Sequence, residues 1–364
     1  MSEQEWRIVH ADDLADGMDE KLARFLESFK SPGDDPVWSA SYYRWKTKNN
    51  PVRTGFISLA VNGGDIVSSV SVTPKFIWHR GKKIQAAEIG DTYTDIRFQR
   101  RGIFAALIND IKVRADESGC SLIYGLPNEN SRPGYEKKCD FLAHPALQLA
   151  NATCLFNAVK IIGQKRSRPF RIILILLASL INLSLKGLRM FWLLWGKISG
   201  VSVREVQGLG EEYNDLWERC KGQSDVSLVR DKKYLEFRFF AHPLARYRFY
   251  EARVNKTLQG YLVCKKQKNN NRRCVMIADW FYERRHPIVF LALLNRAVQE
   301  GLNQQPDLYS TWVNRSRIEK WLFMVSGFVI RKDQPLIIYK NQPGRELLSH
   351  TQRWHFTLSD SDNV

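Results

Sequence analysis

The 364-residue sequence predicts an α+β protein built from two related halves. Three observations lead there. β-rich runs joined by glycine turns are followed by a helix and a short apolar strand, the order of a mostly antiparallel sheet with flanking helices. The box Tyr43-Arg44-Trp45-Lys46-Thr47-Lys48-Asn49-Asn50-Pro51 recurs as Leu235-Glu236-Phe237-Arg238-Phe239-Phe240-Ala241-His242-Pro243, both reading aromatic, basic, three residues, Asn or His, Pro. The length also exceeds one ordinary core.

Each element has a local cause. Residues 6–10 read as a strand and Asp12–Ser28 as a helix, before a polar loop, SPGDDP. FISLAVN (56–62), IVSSVSVTPKFIWH (66–79) and KIQAAEIGDTYT (83–94) are strands joined by Asn62-Gly63-Gly64 and Arg80-Gly81-Lys82, as tight hairpins require. His79 is expected at an exposed strand end. Over Gly102–Ser118, Phe104, Leu107, Ile108, Ile111 and Ala115 recur at i, i+3, i+4, i+7 and i+11, one apolar helical stripe that Gly119 closes. SLIYGL (121–126) is a short apolar strand.

The second half repeats this order. YRFYEARVNK answers FISLAVNGG, and Ile277-Ala278-Asp279-Trp280-Phe281 answers Ile89-Gly90-Asp91-Thr92-Tyr93. Each copy then enters a helix, at Gly102 and at Pro287, but the second connection is three residues shorter and has no glycine. The expected division is a first domain at 1–150, a basic helical connector at 151–200, a degenerate second domain at 201–345 and a tail at 346–364.

A composition of 44% hydrophobic and 26% charged residues is that of a globular protein. The 6 cysteines form no CxxC pair and no zinc spacing, so reduced thiols and no metal are expected. The beginning MSEQEWRIVHADD has no apolar run, which argues against a signal peptide and for a cytoplasmic protein. The net charge of +17 is concentrated: Phe141–Arg204 contains no Asp or Glu. Inside it, Ile172–Leu185 is uncharged but shorter than the ~20 residues a helical span requires. Two readings fit: a helix packed between the domains with its cations solvated, or a helix resting on an anionic membrane surface. Nucleic acid is disfavoured, because the charge is not interleaved with stacking aromatics at a helical period.

Gln99-Arg100-Arg101-Gly102-Ile103-Phe104 has the outline of a phosphate site, a basic glycine loop opening a helix whose free N–H groups face an anion. Downstream comes Leu126-Pro127-Asn128-Glu129-Asn130-Ser131-Arg132-Pro133-Gly134-Tyr135, which runs on to Asp140-Phe141. Together these resemble the GNAT superfamily of acetyl-CoA-dependent transferases, which carries Gln/Arg-x-x-Gly-x-Gly/Ala after its fourth strand and an Asn…Ser…Tyr…Phe run after its fifth. Gln99, Gly102, Asn128, Ser131, Tyr135 and Phe141 match. Phe104 stands where the family has a small residue, Gly134 precedes the tyrosine, and Asp140 replaces a glycine. Gly-Ile-Phe is similar to a two-domain subgroup associated with surface-polysaccharide biosynthesis, and the tandem arrangement resembles FemABX proteins.

The resemblance implies tandem GNAT-like domains and an acyl-CoA-dependent N-acyltransferase. Thr92, Tyr93 and Thr94 would bind the pantetheine arm, Gln99, Arg100, Arg101, Gly102, Ile103 and Phe104 the pyrophosphate, and Asn128 and Ser131 the far side of the cleft. Tyr135 would protonate the leaving thiolate, with packing as its alternative role. Glu88 or Asp91 would deprotonate the amine, and an undistorted strand aims only one of them inward. Trp45, Lys46 and Asn50 resemble an acceptor-site box, although a turn holding helix to sheet explains them equally. The implied acceptor is a small-molecule amine, foremost an amino sugar. A non-catalytic acyl-CoA-binding scaffold and an aminoacyl transferase remain as alternatives.

Overall fold

A computed structural model describes residues 6–15, 17–29, 38–155, 168–269, 272–302, 306–314, 318–331, 336–341 and 353–362. The first half opens with β1 (Arg7–His10), α1 (Met18–Glu27) and α2 (Ala40–Tyr43), which runs into a wide π-helical turn at Arg44–Lys48. β2 (Phe56–Asn62), β3 (Asp65–His79) and β4 (Lys82–Thr94) form an antiparallel meander. Its turns need left-handed backbone, supplied by Gly63 and Gly64 (φ 56 and 97) and by Arg80-Gly81 (φ 44 and 92). α3 (Ile103–Glu117) then crosses to β5 (Leu122–Gly125), which pairs in parallel with β4. α4 (Arg132–Lys138) and β6 (Leu142–Leu155) follow.

α5 (Arg168–Ile198) is one long helix. The second half repeats the first: β7 (Val201–Val206), α6 (Glu212–Cys220), β8 (Val226–Leu228) and α7 (Lys232–Leu235) with a π-helical turn at Glu236–Phe240. The meander β9 (Tyr247–Val254), β10 (Thr257–Asn269) and β11 (Arg272–Tyr282) leads to α8 (Pro287–Leu302) and β12 (Leu308–Asn314), parallel to β11. α9 (Ile318–Met324), β13 (Val329–Arg331), β14 (Leu336–Asn341) and β15 (Trp354–His355) complete the chain. The expected α+β architecture of two related halves is what forms.

The halves share one continuous sheet, ordered β1-β2-β3-β4-β5-β14-β6-β12-β11-β10-β9-β7. At its middle the halves exchange strands: β6 pairs with β12 of the second half, and β14 pairs with β5 of the first. The expected boundary at position 150 therefore falls inside β6. One apolar core lies under α3 (Leu107, Ile108, Ile111 against Val70, Val72, Ile89), another under α8 (Phe290, Leu293, Leu294 against Ile277, Trp280). A third belongs to both halves and contains Ile77, Leu122, Tyr124, Trp217, Phe281 and, from the C-terminal segment, Trp354, Phe356 and Leu358. The sequence alone places this segment in a C-terminal tail. His79 also departs from expectation. It is buried, because β8 of the second half pairs along β3 and sets Val226 opposite His79.

Candidate active site

β4 and β5 stay paired only through Ala86–Leu122, Ala87–Ile123 and Glu88–Tyr124. Beyond that β4 continues to Thr94 while β5 stops at Gly125, so the strands part and leave a cleft. A bulge marks the parting: Ser71 faces Gly90 but Ser69 faces Tyr93, so β4 carries one extra residue there, and Asp91 adopts φ 48. The bulge breaks the strict alternation that would aim only one of Glu88 and Asp91 inward. Both side chains point into the protein, where they meet different partners.

The basic glycine loop turns sharply into α3. Arg100 (φ 62) and Gly102 (φ 80) turn the chain into α3, and nothing lies within 4 Å of where a Gly102 side chain would begin. The first helical N–H groups of α3, beginning at Ile103, have no intrahelical acceptor and face this open space. Arg100 and Arg101 are exposed beside it, Arg101 lying over Phe98, and Gln99 Nε2 donates to the Thr94 carbonyl at 3.2 Å. The exposed Arg100 and Arg101 give this open space a positive character.

On the opposite wall Asn128 lies in the turn that leads into α4. Its Oδ1 accepts from the N–H groups of Asn130 and Ser131 at 3.0 and 2.9 Å, so part of its polarity fixes the turn. Tyr135 reaches back across the cleft: its hydroxyl hydrogen-bonds Thr92 Oγ1 at 2.8 Å, beside the bulge. Burial raises the Tyr135 phenol well above its ordinary range, so it stays protonated. Phe104 packs edge-on against Tyr135 with ring centroids 5.1 Å apart. A Cβ added at Gly134 would sit 2.9 Å from Phe104 Cε1. Two departures from the family pattern thus explain each other: the large Phe104 fits because residue 134 has no side chain.

The carboxylates belong to a buried polar network. Asp91 accepts from Lys46 Nζ (2.7 Å), Ser71 Oγ (2.8 Å) and Trp38 Nε1 (3.1 Å). Burial pushes its carboxyl up, but Lys46 and these hydrogen bonds outweigh that and hold it below the usual range. Glu88 is 3% exposed and accepts from the backbone N–H of Asp362 at 3.0 and 3.1 Å. Burial, reinforced by the Asp362 carboxylate and opposed by Lys75 and Lys46, pushes Glu88 up to about 8. Lys46 pairs with Asp91, Lys75 with Asp362 and Arg230 with Asp279 and Asp360, while Glu88 shares Lys75 at the longer distance of 3.5 Å.

Asp362 comes from the C-terminal segment, which threads between the halves. Lys75 Nζ donates to its Oδ1 at 2.8 Å, Thr73 Oγ1 donates to its Oδ2, and Lys46 lies at 3.4 Å. Tyr124 donates to the Asp360 carbonyl, Arg238 to those of Ser359 and Ser361, and Arg230 bridges Asp279 and Asp360. Nothing local in the sequence distinguishes Lys75 and Asp362, whereas Arg238 is the basic residue of the second box.

The acceptor box sits beside this network. Trp45 is buried and stacked on Phe237. Asn50 donates to the carbonyls of Lys46 and Pro74 and accepts from Val52 N–H. Lys46 is the member joined to the carboxylates. Among the described residues no cluster of His, Cys, Asp and Glu could hold a metal ion.

With the cleft, loop and tyrosine in place, the likeness to known proteins can be weighed. Residues 15–141 match the family described as acetyltransferase (GNAT) domain. That stretch of the first half is therefore similar to a GNAT acetyltransferase domain. Among solved structures, a GCN5-related N-acetyltransferase from Anabaena variabilis superposes with a TM-score of 0.61 at 12% identity, over 92% of this chain and 73% of that one. Saccharomyces cerevisiae N-myristoyltransferase with bound myristoyl-CoA gives 0.64 at 11%, over 96% and 85%. A tandem GNAT protein from the clavulanic acid biosynthesis pathway gives 0.60 at 13%, over 93% and 98%. At these identities the likeness is one of fold, and it extends the GNAT architecture over both halves. No curated protein matches in sequence.

The second half repeats the frame of the first without the loop. β11 bulges where β4 does, since Val263 faces Asp279 while Cys264 faces Ile277. Asp279 holds Arg230 as Asp91 holds Lys46. The way into α8, through Glu283-Arg284-Arg285-His286, contains no glycine.

Proposed function

We propose that the chain transfers an acyl group, acetyl in the simplest case, from acyl-coenzyme A to a small-molecule amine, with an amino sugar as the leading acceptor class. The open cradle at Gly102, at the head of α3 and beside the parted strands, carries the reading. In it Gln99–Phe104 hold the pyrophosphate, and the backbone of Thr92–Thr94, beyond the end of the pairing with β5, meets the pantetheine arm. Asn128 and Ser131 line the opposite wall.

The chemistry divides between two groups. As the amine nitrogen bonds to the thioester carbon and the carbon–sulfur bond breaks, the thiolate takes the Tyr135 proton. Tyr135 is suited to this because burial keeps it protonated and Thr92 orients its hydroxyl. The amine's proton passes to Glu88, whose affinity near pH 8 matches an amine better than that of Asp91, already committed to Lys46. The sugar acceptor rests on the subgroup resemblance noted above.

The test is a thermal-shift panel with CoA, acetyl-CoA and longer acyl-CoAs, followed by thiol release with candidate amino sugars. Stabilisation by acyl-CoA together with amine-dependent thiol release is the expected result. Stabilisation with no release from any amine would leave a non-catalytic acyl-CoA-binding protein, and no stabilisation would remove the reading.

A further inference from the structure

α5 presents an apolar face outward. Its packed side is defined by Arg189, buried beside Cys154 Sγ at 3.4 Å, and by Gly196 against Ala292. Opposite that side, Leu176, Leu180, Leu183, Phe191, Leu194 and Ile198 recur at i, i+4, i+7, i+15, i+18 and i+22, and all are exposed, Leu194 at 59% and Ile198 at 70%. Such a stripe normally faces a core.

The apolar surface does not stop at the helix. Trp192 Nε1 donates to the Val325 carbonyl at 2.9 Å, and Leu185 lies against Gly327, which docks the end of α9 onto the flank of α5. On that neighbouring element Trp321 is 61% exposed, and Met324, Val325 and Val329 are exposed as well. A helix from the connector and a helix-strand unit from the second half therefore share one apolar surface rimmed by aromatics.

We propose that this bipartite surface docks on an anionic lipid bilayer, with α5 lying in the plane of the interface. Charge selects the partner. The stretch 141–204 has no acidic residue, exposed Lys186 and Lys197 flank the stripe, and Lys320 sits over Trp321. A second copy would oppose like charges, whereas lipid phosphates neutralise them. By length and composition Ile175–Ile198 is also apolar enough to cross a membrane. However, the packing of Arg189, Trp192 and Gly196 ties its C-terminal half to the protein, so the helix docks along the surface.

This inference stands apart from the acyl-transfer reading, and its test needs no substrate. Flotation would use phosphatidylcholine vesicles with and without phosphatidylglycerol, over a salt series. The chain should float with anionic vesicles, progressively less as salt rises. Leu194→Asp and Phe191→Asp should each cut partitioning at least ~10-fold with unchanged thermal melting, and Trp321→Ala should cut it several-fold. Failure of the parent chain to float, or variants that float as it does, would overturn the proposal. So would a dimer in sedimentation experiments without lipid that the two aspartate variants dissociate, because the face would then belong to a second copy.

Discussion

Trp45 lies flat against Phe237, with ring centroids 4.7 Å apart and planes within 14°, and its Nε1 donates to the Phe237 carbonyl. These two residues occupy the same place in the repeated box, so the axis relating the halves passes between them. The equivalence extends to single hydrogen bonds. Ser39 caps α2 by accepting from Tyr42 N–H, and Asp231 caps α7 by accepting from Tyr234 N–H. Asn50 Oδ1 accepts from the N–H two residues on, and so does His242 Nδ1. Asn and His alternate in the box because each offers an acceptor at that point. Burial and the nearby Arg238 push His242 down to about 3, which keeps it neutral for this task.

The pairing of Phe104 with Gly134 gives a double-mutant cycle. Gly134→Ala sets a methyl against the Phe104 ring and should cost ~1–3 kcal/mol in urea unfolding. Phe104→Ala should cost stability alone but remove most of the alanine penalty at 134. Additive effects would show that the two positions do not compensate.

At the loop, Gly102→Glu should abolish stabilisation by acyl-CoA while the fold persists. Because Gly102 is left-handed at φ 80, Gly102→Ala serves as the control for backbone strain, ~1 kcal/mol. Calorimetry separates the two, since the alanine variant should retain affinity that the glutamate variant loses.

Much of this was legible in the sequence, for reasons that differ by element. The hairpins, α3 and the phosphate loop are written in local chemistry: glycines where φ is positive and an apolar stripe at helical period. The repeat was legible because the box performs the same local hydrogen bonding twice. The acceptor assignment of Trp45 and Asn50 was ambiguous because one motif serves both turn geometry and site, and the side chains are spent on the turn. The exchange of β6 and β14 and the burial of the C-terminal segment were not legible. Both depend on pairings between distant residues such as Lys75 and Asp362, and no short-range pattern encodes them.

Tyr135→Phe removes only the hydroxyl that meets Thr92. Turnover should fall by ~10²–10⁴, with acyl-CoA affinity barely changed. Calorimetry and steady-state rates on one preparation check this. A variant of normal rate would reduce Tyr135 to a packing role with Phe104 and Phe141.

Glu88 should make stability depend on pH. Its carboxyl is held at about 8 against an ordinary 4.5, so folding favours the neutral form. The contribution is fully present below pH 4.5 and is lost as pH rises through about 8. Glu88→Gln cannot ionise, so relative to it the parent chain should lose on the order of a few kcal/mol between pH 4.5 and 9. Urea unfolding of both at the two pH values reads the difference, and parallel pH profiles would show that Glu88 is not perturbed.

Asp362 should couple the C-terminal segment to both stability and rate. Burial pushes its carboxyl up, but Lys75, Lys46 and Arg238 outweigh that and hold it well below the usual range. Its contribution is therefore present above pH 3.8 and is lost as pH falls below that. Asp362→Asn removes the nearer anion of buried Lys75, leaving it only Glu88 at 3.5 Å, and should cost ~3–5 kcal/mol at neutral pH. Lys75→Met should cost a similar amount, and the double variant should cost less than the sum, because neither partner is then stranded. The same substitution removes the negative charge that helps raise Glu88, so the pH–rate midpoint expected near 8 should move toward acid by roughly one unit. A stability loss with an unmoved midpoint would confine Asp362 to holding the halves together, and a midpoint shift would tie the segment to the proton chemistry of the cleft.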